Sequence, residues 1–148
     1  MTMPDNQSIT QMGYVVVDLQ AAMAKWADTL GVGPFRTIDH VAIEGGCYRG
    51  SPTAVDISVA LAESGDIQIE LIEQHNDVAS CYRDLFAPGT QGLHHVAIHT
   101  SEYDAEVARY ESLGCPLAFG GTYQGTRFAY MDTSANLGIM VEVVESQP

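Results

Sequence analysis

The chain has 148 residues, a hydrophobic content of 46% and a formal net charge of −13. This length and composition are typical of one globular domain and argue against a disordered chain. Only 6 basic residues stand against 19 acidic ones. Nucleic acids and anionic membrane surfaces attract clustered Lys and Arg, so we expect neither a nucleic-acid partner nor a membrane partner.

The first seven residues are polar and lack the apolar core of a signal peptide. No apolar run approaches the ~18 residues that a membrane-spanning helix needs. The three cysteines are scattered and form no CxxC pair, which is typical of reduced thiols. We therefore expect a cytoplasmic protein.

Residues 8–74 predict a first β-α-β-β-β module. Residues 9–17 are rich in β-branched side chains and predict a strand. Asp18 is then expected to cap a helix that ends at Gly31. The Gly-rich stretch 44–52 predicts a loop. Alternating apolar and polar residues predict three further strands, at 35–43, 54–61 and 67–73.

After a connector at residues 75–91, which includes a short helix at 78–86, the pattern restarts in a second module at 92–146. Ser101 and Asp104 form a candidate capping box for its helix, which ends at Gly114. Strands are predicted at 93–100, 116–119, 127–132 and 139–145. The sequence thus predicts a single α+β domain over residues 1–148, built from two tandem β-α-β-β-β modules.

The two modules repeat each other, because residues 67–73 resemble residues 139–145. We expect the helices to cover the apolar strand faces and the opposite face to carry polar side chains. These polar residues are Gln11, Asp56, Glu70, His95 and Glu142. Charged groups on a concave sheet are costly unless they are paired or bound to a metal. An imidazole, two carboxylates and an amide oxygen together form a plausible site for a divalent ion.

This repeat, with the sequence Gly-Leu-His-His-Val-Ala at 92–97, resembles the vicinal oxygen chelate (glyoxalase/bleomycin-resistance/extradiol dioxygenase) superfamily over about residues 8–146. The resemblance implies an open eight-stranded cleft that holds a divalent ion (Zn, Co, Ni, Mn or Mg). It also implies four metal ligands, Gln11, Glu70, His95 and Glu142. The stretch at 92–97 is most similar to methylmalonyl-CoA epimerase, whereas the ligand set is similar to that of zinc-type glyoxalase I.

The resemblance to the epimerase implies that Asp56 and Glu142 are the catalytic bases. A metal ion polarises a carbonyl group, and a nearby carboxylate removes and returns a proton at the adjacent carbon. We therefore expect a metal-dependent isomerase, epimerase or lyase that acts on a small carbonyl or acyl-thioester substrate. His99, Phe128 and Tyr130 are expected to contact that substrate, and we expect a homodimer.

Three alternatives remain open from the sequence. His95 is a hydrogen-bonded core histidine, and Glu70 and Glu142 face solvent, if the sheet carries no metal. A non-catalytic small-molecule-binding protein of the bleomycin-resistance type would keep the fold without the metal. The extradiol dioxygenase branch uses two histidines and a glutamate, and Gln11 in place of a histidine argues against it. His94 is expected to have a structural role.

Overall fold

A computed structural model describes residues 6–147, so the beginning of the polar N-terminal stretch, residues 1–5, lies outside the described residues. The first module contains β1 (Gln11–Val15), α1 (Leu19–Leu30), β2 (Arg36–Ile38), β3 (Glu44–Tyr48), β4 (Ser51–Pro52), β5 (Ile57–Ser64) and β6 (Ile67–Gln74). After α2 (Cys81–Leu85), the second contains β7 (Gly92–Thr100), α3 (Tyr103–Ser112), β8 (Leu117–Tyr123), β9 (Thr126–Met131), α4 (Ser134–Leu137) and β10 (Met140–Glu145). Within residues 6–147, no helix has the length and apolar character needed to cross a membrane.

The strands form one sheet in the order β2-β5-β6-β1-β7-β10-β9-β8-β3-β4. Each module has the same half-sheet pattern, in which its first strand runs parallel to its last strand: β1 with β6, and β7 with β10. The two half-sheets join where β1 pairs with β7 in antiparallel orientation. This confirms the predicted two-module α+β fold, and the four central strands β6, β1, β7 and β10 become the floor of a cleft.

The first helix begins and ends where its sequence predicts. The side chain of Asp18 accepts a hydrogen bond from the backbone N–H of Ala21 at 3.0 Å. Gly31 adopts the left-handed conformation (φ 73°) that ends the helix. The apolar side of α1 packs on the convex side of β5 and β6, against Ala60 and Leu71. Because the apolar side of α1 covers the Leu71 face of β6, the opposite face of β6 lines the cleft.

The second long helix does not use the predicted capping box. Its N-cap residue is Glu102, one residue later than Ser101, and its side chain makes no capping hydrogen bond to the described part of the chain. Instead the Thr100 hydroxyl accepts from the Glu102 N–H at 2.9 Å. The helix α3 packs against the apolar residues of β9 and β10, including Val143. The capping prediction was wrong because the helix starts one residue later than expected, at Tyr103, so Ser101 does not occupy the N-cap position.

Residues 44–52 form a β-hairpin, so the prediction of a loop there was wrong. Strand β3 pairs with β8, and the hairpin adds two strands to the eight that were predicted. A Cβ on Gly121 would lie 2.8 Å from Ile43 and 3.2 Å from the Glu44 carbonyl oxygen, so glycine permits this close strand approach. Arg49 holds the hairpin by bonding to Asp84 (2.9 Å) and Asp132 (2.6 Å).

The predicted face of β5 was also wrong. Ile57, Val59 and Leu61 lie on the cleft side, where they line a cavity, while Ala60 on the other face packs under α1. The sequence alternates in the expected way, but both faces of β5 are buried, so alternation alone does not show which face meets the helix. The prediction was correct for β6 and β10, whose apolar residues Leu71 and Val143 lie on the helix side.

Candidate metal site in the cleft

The four predicted ligands lie together at the centre of the cleft, one on each of four adjacent strands. His95 Nε2 is 2.9 Å from Gln11 Oε1, 3.4 Å from Glu70 Oε1 and 3.6 Å from Glu142 Oε1. Ligand atoms that bind one ion at about 2.1 Å are separated from each other by roughly 3.0–3.4 Å in octahedral and tetrahedral sites. The three distances from His95 Nε2 are close to that range. The sequence alone could not have established these distances.

Hydrogen bonds behind His95 determine which of its nitrogens faces the cleft. His94 Nε2 lies 2.9 Å from the Cys81 carbonyl oxygen, which can only accept, so this nitrogen carries the proton. Burial, and then the charge of His95, lower the pKa of His94 to about 3, which keeps it neutral. Its Nδ1 therefore accepts from His95 Nδ1, 3.0 Å away. Because Nδ1 carries a proton, Nε2 is the nitrogen that would bind an ion held between His95 and the three oxygens.

Gly13 leaves the space that the His95 ring occupies. It pairs with His95 on one side of β1 and with Glu70 on the other. A Cβ at Gly13 would lie only 2.0 Å from His95 Cε1. Any other residue would therefore displace the imidazole ring. The sequence analysis did not single out Gly13, although a glycine inside a strand is a known sign of a close approach.

The amide of Gln11 is oriented by a chain of hydrogen bonds along the cleft mouth. Gln11 Nε2 donates to Gln68 Oε1 at 2.8 Å, and Gln68 Nε2 donates to Glu63 Oε1 at 3.2 Å. Because a carboxylate only accepts, this chain directs the Gln11 oxygen, rather than its nitrogen, towards His95. Gln68 is a second residue that the sequence analysis missed, since its role depends on its pairing with Gln11 across β1 and β6.

Two partly buried acidic side chains, Glu70 and Glu142, flank His95 at the centre of the cleft. Glu70 Oε1 is buried and has no hydrogen-bond partner among residues 6–147. Burial raises the pKa of Glu142 to about 7; the charge of His95 lowers it, the charge of Glu70 raises it and the Tyr130 hydroxyl lowers it. A buried carboxylate oxygen that accepts no hydrogen bond is costly. Two carboxylates, an amide oxygen and an imidazole nitrogen are donor types that suit a divalent ion such as Zn²⁺.

The ligand group lies at the junction of two cavities. The outer cavity has a volume of about 450 Å³ and is lined by His99 and Phe128 as well as by Gln11, Glu70 and Glu142. The inner cavity, of about 180 Å³, is more apolar, and Phe128 and Tyr130 form part of its wall. All three predicted substrate contacts thus lie on the cleft. The His99 ring is held by Thr10 Oγ1 at 2.9 Å.

Asp56 lies away from this group. It precedes β5, lines neither of the two cavities, and its carboxylate bonds to His40 Nδ1 at 2.7 Å. The expectation that it faces the cleft was based on the incorrect face assignment of β5. The structure therefore leaves Asp56 apart and brings the other predicted site residues together at the cleft: Gln11, Glu70, His95, His99, Phe128, Tyr130 and Glu142.

Solved structures with the same fold include proteins of known and unknown activity. A hypothetical protein from Bacillus halodurans C-125 matches with a TM-score of 0.69 at 15% identity, covering 97% of each chain. Methylmalonyl-CoA epimerase from Mycobacterium tuberculosis matches with a TM-score of 0.60 at 20% identity, covering 99% of this chain and 94% of that one. A variant of the Streptomyces coelicolor epimerase in complex with 2-nitronate-propionyl-CoA has a TM-score of 0.59 at 19% identity, covering 96% and 99%.

At these identities the likeness shows the fold alone. No curated protein matches the sequence. A sequence profile of the glyoxalase/bleomycin resistance protein/dioxygenase superfamily, however, matches residues 10–130, which is most of the chain. This agrees with the two-module sheet and with the position of the cleft. The chain belongs to the glyoxalase/bleomycin resistance protein/dioxygenase superfamily.

Proposed function

We propose that this protein is a metal-dependent enzyme that transfers a proton at the carbon next to a carbonyl group, as an isomerase, epimerase or lyase. The observation that carries the proposal is the arrangement of Gln11, Glu70 and Glu142 around His95 Nε2, in which the buried Glu70 Oε1 accepts no hydrogen bond from the described residues. A divalent ion bound there would polarise the substrate carbonyl and stabilise the negative charge that develops on its oxygen.

Glu142 is the residue we propose to move the proton. A carboxylate beside the substrate carbon can accept a proton from that carbon and return it. The Tyr130 side chain lowers the pKa of this carboxylate, and the Tyr82 hydroxyl donates to Tyr130 at 3.3 Å. Glu142 and Tyr130 both line the inner cavity, and Glu142 also lines the outer one. This position places Glu142 beside any substrate that fills both cavities.

Glu70 occupies the corresponding position on the other side of His95. It comes from β6 of the first module, whereas Glu142 comes from β10 of the second. Two carboxylates on opposite sides of one carbon would support epimerisation, while one base is sufficient for isomerisation or a lyase step. We expected Asp56 to be a second base, but its position outside both cavities favours Glu70 for that role.

We infer that the substrate is a small uncharged carbonyl compound rather than a coenzyme A thioester. Within the described residues, neither of the two cavities is lined by Lys or Arg. Arg49 and Arg127 each bond to two carboxylates, and Arg109 bonds to Glu106. Phosphate groups would therefore meet the acidic cleft without a cationic partner on its walls. The small inner cavity, with its apolar walls, fits a short aliphatic or aromatic group next to the carbonyl.

Deuterium exchange tests the proposed reaction whatever its product is. The protein is loaded with Zn²⁺, Co²⁺, Ni²⁺ or Mn²⁺ and incubated in D₂O with a panel of 2-hydroxy ketones, 2-hydroxy aldehydes and methylmalonyl-CoA. Proton NMR then detects deuterium at the carbon next to the carbonyl. We expect metal-dependent exchange that favours the small uncharged compounds, and loss of exchange in Glu142→Gln.

The matched control is Glu145→Gln, because Glu145 is on the same strand and bonds to Arg127 outside the cleft. It should keep exchange close to the wild-type rate. Metal binding without exchange on any compound of the panel would refute the proposed proton transfer on these substrates. A protein that binds no metal in the cleft and shows no exchange would support the non-catalytic binding protein of the bleomycin-resistance type. The homodimer and the cytoplasmic location stay predictions, and light scattering of the purified protein checks the first.

A further inference from the structure

A second group of metal-ligating side chains lies outside the cleft. His40, Asp56 and His75 each offer one ligand atom, and these three atoms lie within 4.8 Å of one another. We propose that they form a second metal site, for Zn²⁺ or a similar transition-metal ion, that fastens the edge of the first half-sheet. This site does not depend on the proposed reaction or on the ion in the cleft.

The donor set determines the class of metal. Two imidazoles and one carboxylate suit Zn²⁺, Co²⁺, Ni²⁺ or Cu²⁺, whereas Mg²⁺ and Ca²⁺ prefer oxygen ligands alone. His40 Nδ1 lies 2.7 Å from Asp56 Oδ1, and the His40 and His75 rings have centroids 4.7 Å apart. Ligands of one tetrahedral zinc ion are separated by about 3.4 Å. Small side-chain rotations therefore bring the three ligand atoms to the required spacing.

Neighbouring groups hold the ligands in place. His75 Nδ1 lies 3.0 Å from Glu73 Oε2, and its Nε2 lies 2.7 Å from Ser58 Oγ. Whichever ring nitrogen binds the ion, the other therefore has a partner, as metal-ligating histidines usually do. Asp56 is fixed from its backbone N–H, which donates to Asn76 Oδ1 at 3.2 Å. Hydrogen bonds to neighbouring residues therefore fix the positions of His75 and Asp56.

The backbone at His40 supports the same inference. This residue has a φ of 48°, a left-handed conformation that is uncommon for a residue with a side chain. Its N–H donates to Ser58 Oγ at 2.9 Å, which keeps the imidazole ring over His75. A strained conformation that points a side chain at two other ligand residues is a frequent feature of functional sites.

The three ligands come from three separate segments of the chain. His40 follows β2, Asp56 precedes β5 and His75 follows β6. His40 and Asp56 are directly followed by Val41 and Ile57, both of which line the inner cavity and join through a 2.8 Å backbone hydrogen bond. An ion on this cluster would thus fix one wall of the inner cavity.

A Zn²⁺ titration of chelator-treated protein by calorimetry tests the site. We expect two ions per wild-type chain, and one ion per chain in both His75→Ala and Asp56→Asn, or a second ion bound at least about tenfold more weakly. Both changes are at the protein surface, so folding should be retained. Asp66→Asn, in the exposed turn between β5 and β6, is the matched control and should still bind two ions.

Imidazole NMR signals identify the ligands independently of the stoichiometry. The His40 and His75 signals should shift on Zn²⁺ addition in the wild type, and in Asp56→Asn they should shift only at a Zn²⁺ concentration at least about tenfold higher, or not at all. The inference is overturned if His75→Ala binds as many ions as the wild type, or if the His40 and His75 signals do not respond. A wild-type protein with a single ion that is lost in His75→Ala would support this site and refute the ion in the cleft.

Discussion

Replacing Gly13 with alanine is the smallest change that should disable the cleft. The added Cβ would lie 2.0 Å from His95 Cε1 and 2.5 Å from both ring nitrogens, whereas carbon atoms in contact are separated by about 3.5–4.0 Å. The ring is also confined, because His95 is 0% exposed and packs against Tyr130, with ring centroids 4.9 Å apart. The imidazole must therefore move by roughly 1.5 Å or more, or β1 must separate from β7.

Two effects follow from this displacement. Overpacking of a buried site costs about 1–3 kcal/mol of the free energy of unfolding, and the tight contact places Gly13→Ala near the upper end. Movement of His95 Nε2 also separates it from Gln11, Glu70 and Glu142. We expect Zn²⁺ affinity in the cleft to fall by at least about 10- to 100-fold, the loss that follows when the support of a metal ligand is removed.

Thermal unfolding and a competitive Zn²⁺ titration measure these two effects. Gly46→Ala is the matched control, because Gly46 is also a strand residue and its nearest Cβ contact would be an ordinary 3.4 Å. It should leave the cleft affinity unchanged. If Gly13→Ala binds Zn²⁺ and unfolds as the wild type does, the His95 ring does not lie over Gly13 and the proposed ligand geometry is incorrect.

Three further predictions concern the groups around the cleft. His94→Phe removes the acceptor for His95 Nδ1–H, so zinc affinity measured by competition should fall about 10- to 100-fold; an unchanged affinity would exclude a role in orienting His95. In metal-free protein, the folded state holds a proton on Glu142 more tightly than the unfolded chain does, because burial raises the pKa of Glu142 from 4.5 to about 7. The free energy of unfolding should therefore fall by up to about 3 kcal/mol as the pH rises from about 4.5 to 7, and Glu142→Gln should remove this decrease in chemical denaturation. Arg49→Ala breaks the bonds to Asp84 and Asp132, so hydrogen exchange of the β3 amides should accelerate, whereas equal protection would show that the hairpin is held by its strand pairing alone.

The candidate metal ligands could be predicted from the sequence because the two modules repeat each other. Glu70 and Glu142 occur in similar strand sequences, and both modules end with a strand that is apolar on one face and polar on the other. Alternation with period two then places each glutamate on the opposite face from the helix-covered residues. For these strands, and for His95 on β7, sequence pattern and tertiary packing agree.

The same reasoning did not extend to β5, where both faces are buried. Ala60 has no exposed surface and packs under α1, while Leu61, 8% exposed, faces the cleft. The helix α1 packs closely over Ala60, and the face of β5 that carries the bulkier Leu61 is turned to the cleft. The role expected for Asp56 depended on this orientation, so an error on one strand also misplaced a site residue.

Contacts between distant segments that are unrelated by the repeat could not be predicted. The pairing of β3 with β8 depends on Gly121 and on Arg49, which lie in different modules of the chain. The bonds that orient His95 likewise pass through the Cys81 carbonyl oxygen, a backbone group with no sequence signal of its own. Long-range backbone partners of this kind appear only once the chain is folded.

Anomalous diffraction from a crystal of the Zn²⁺-loaded protein tests the central claim most directly. We predict an anomalous peak about 2.1 Å from His95 Nε2, with Glu70 and Glu142 oxygens at about 2.0–2.2 Å from the same peak. The peak should be missing in crystals of Gly13→Ala. A map with zinc only at His40 and His75, or with no zinc peak within bonding distance of His95, would contradict the account of the cleft as a metal site.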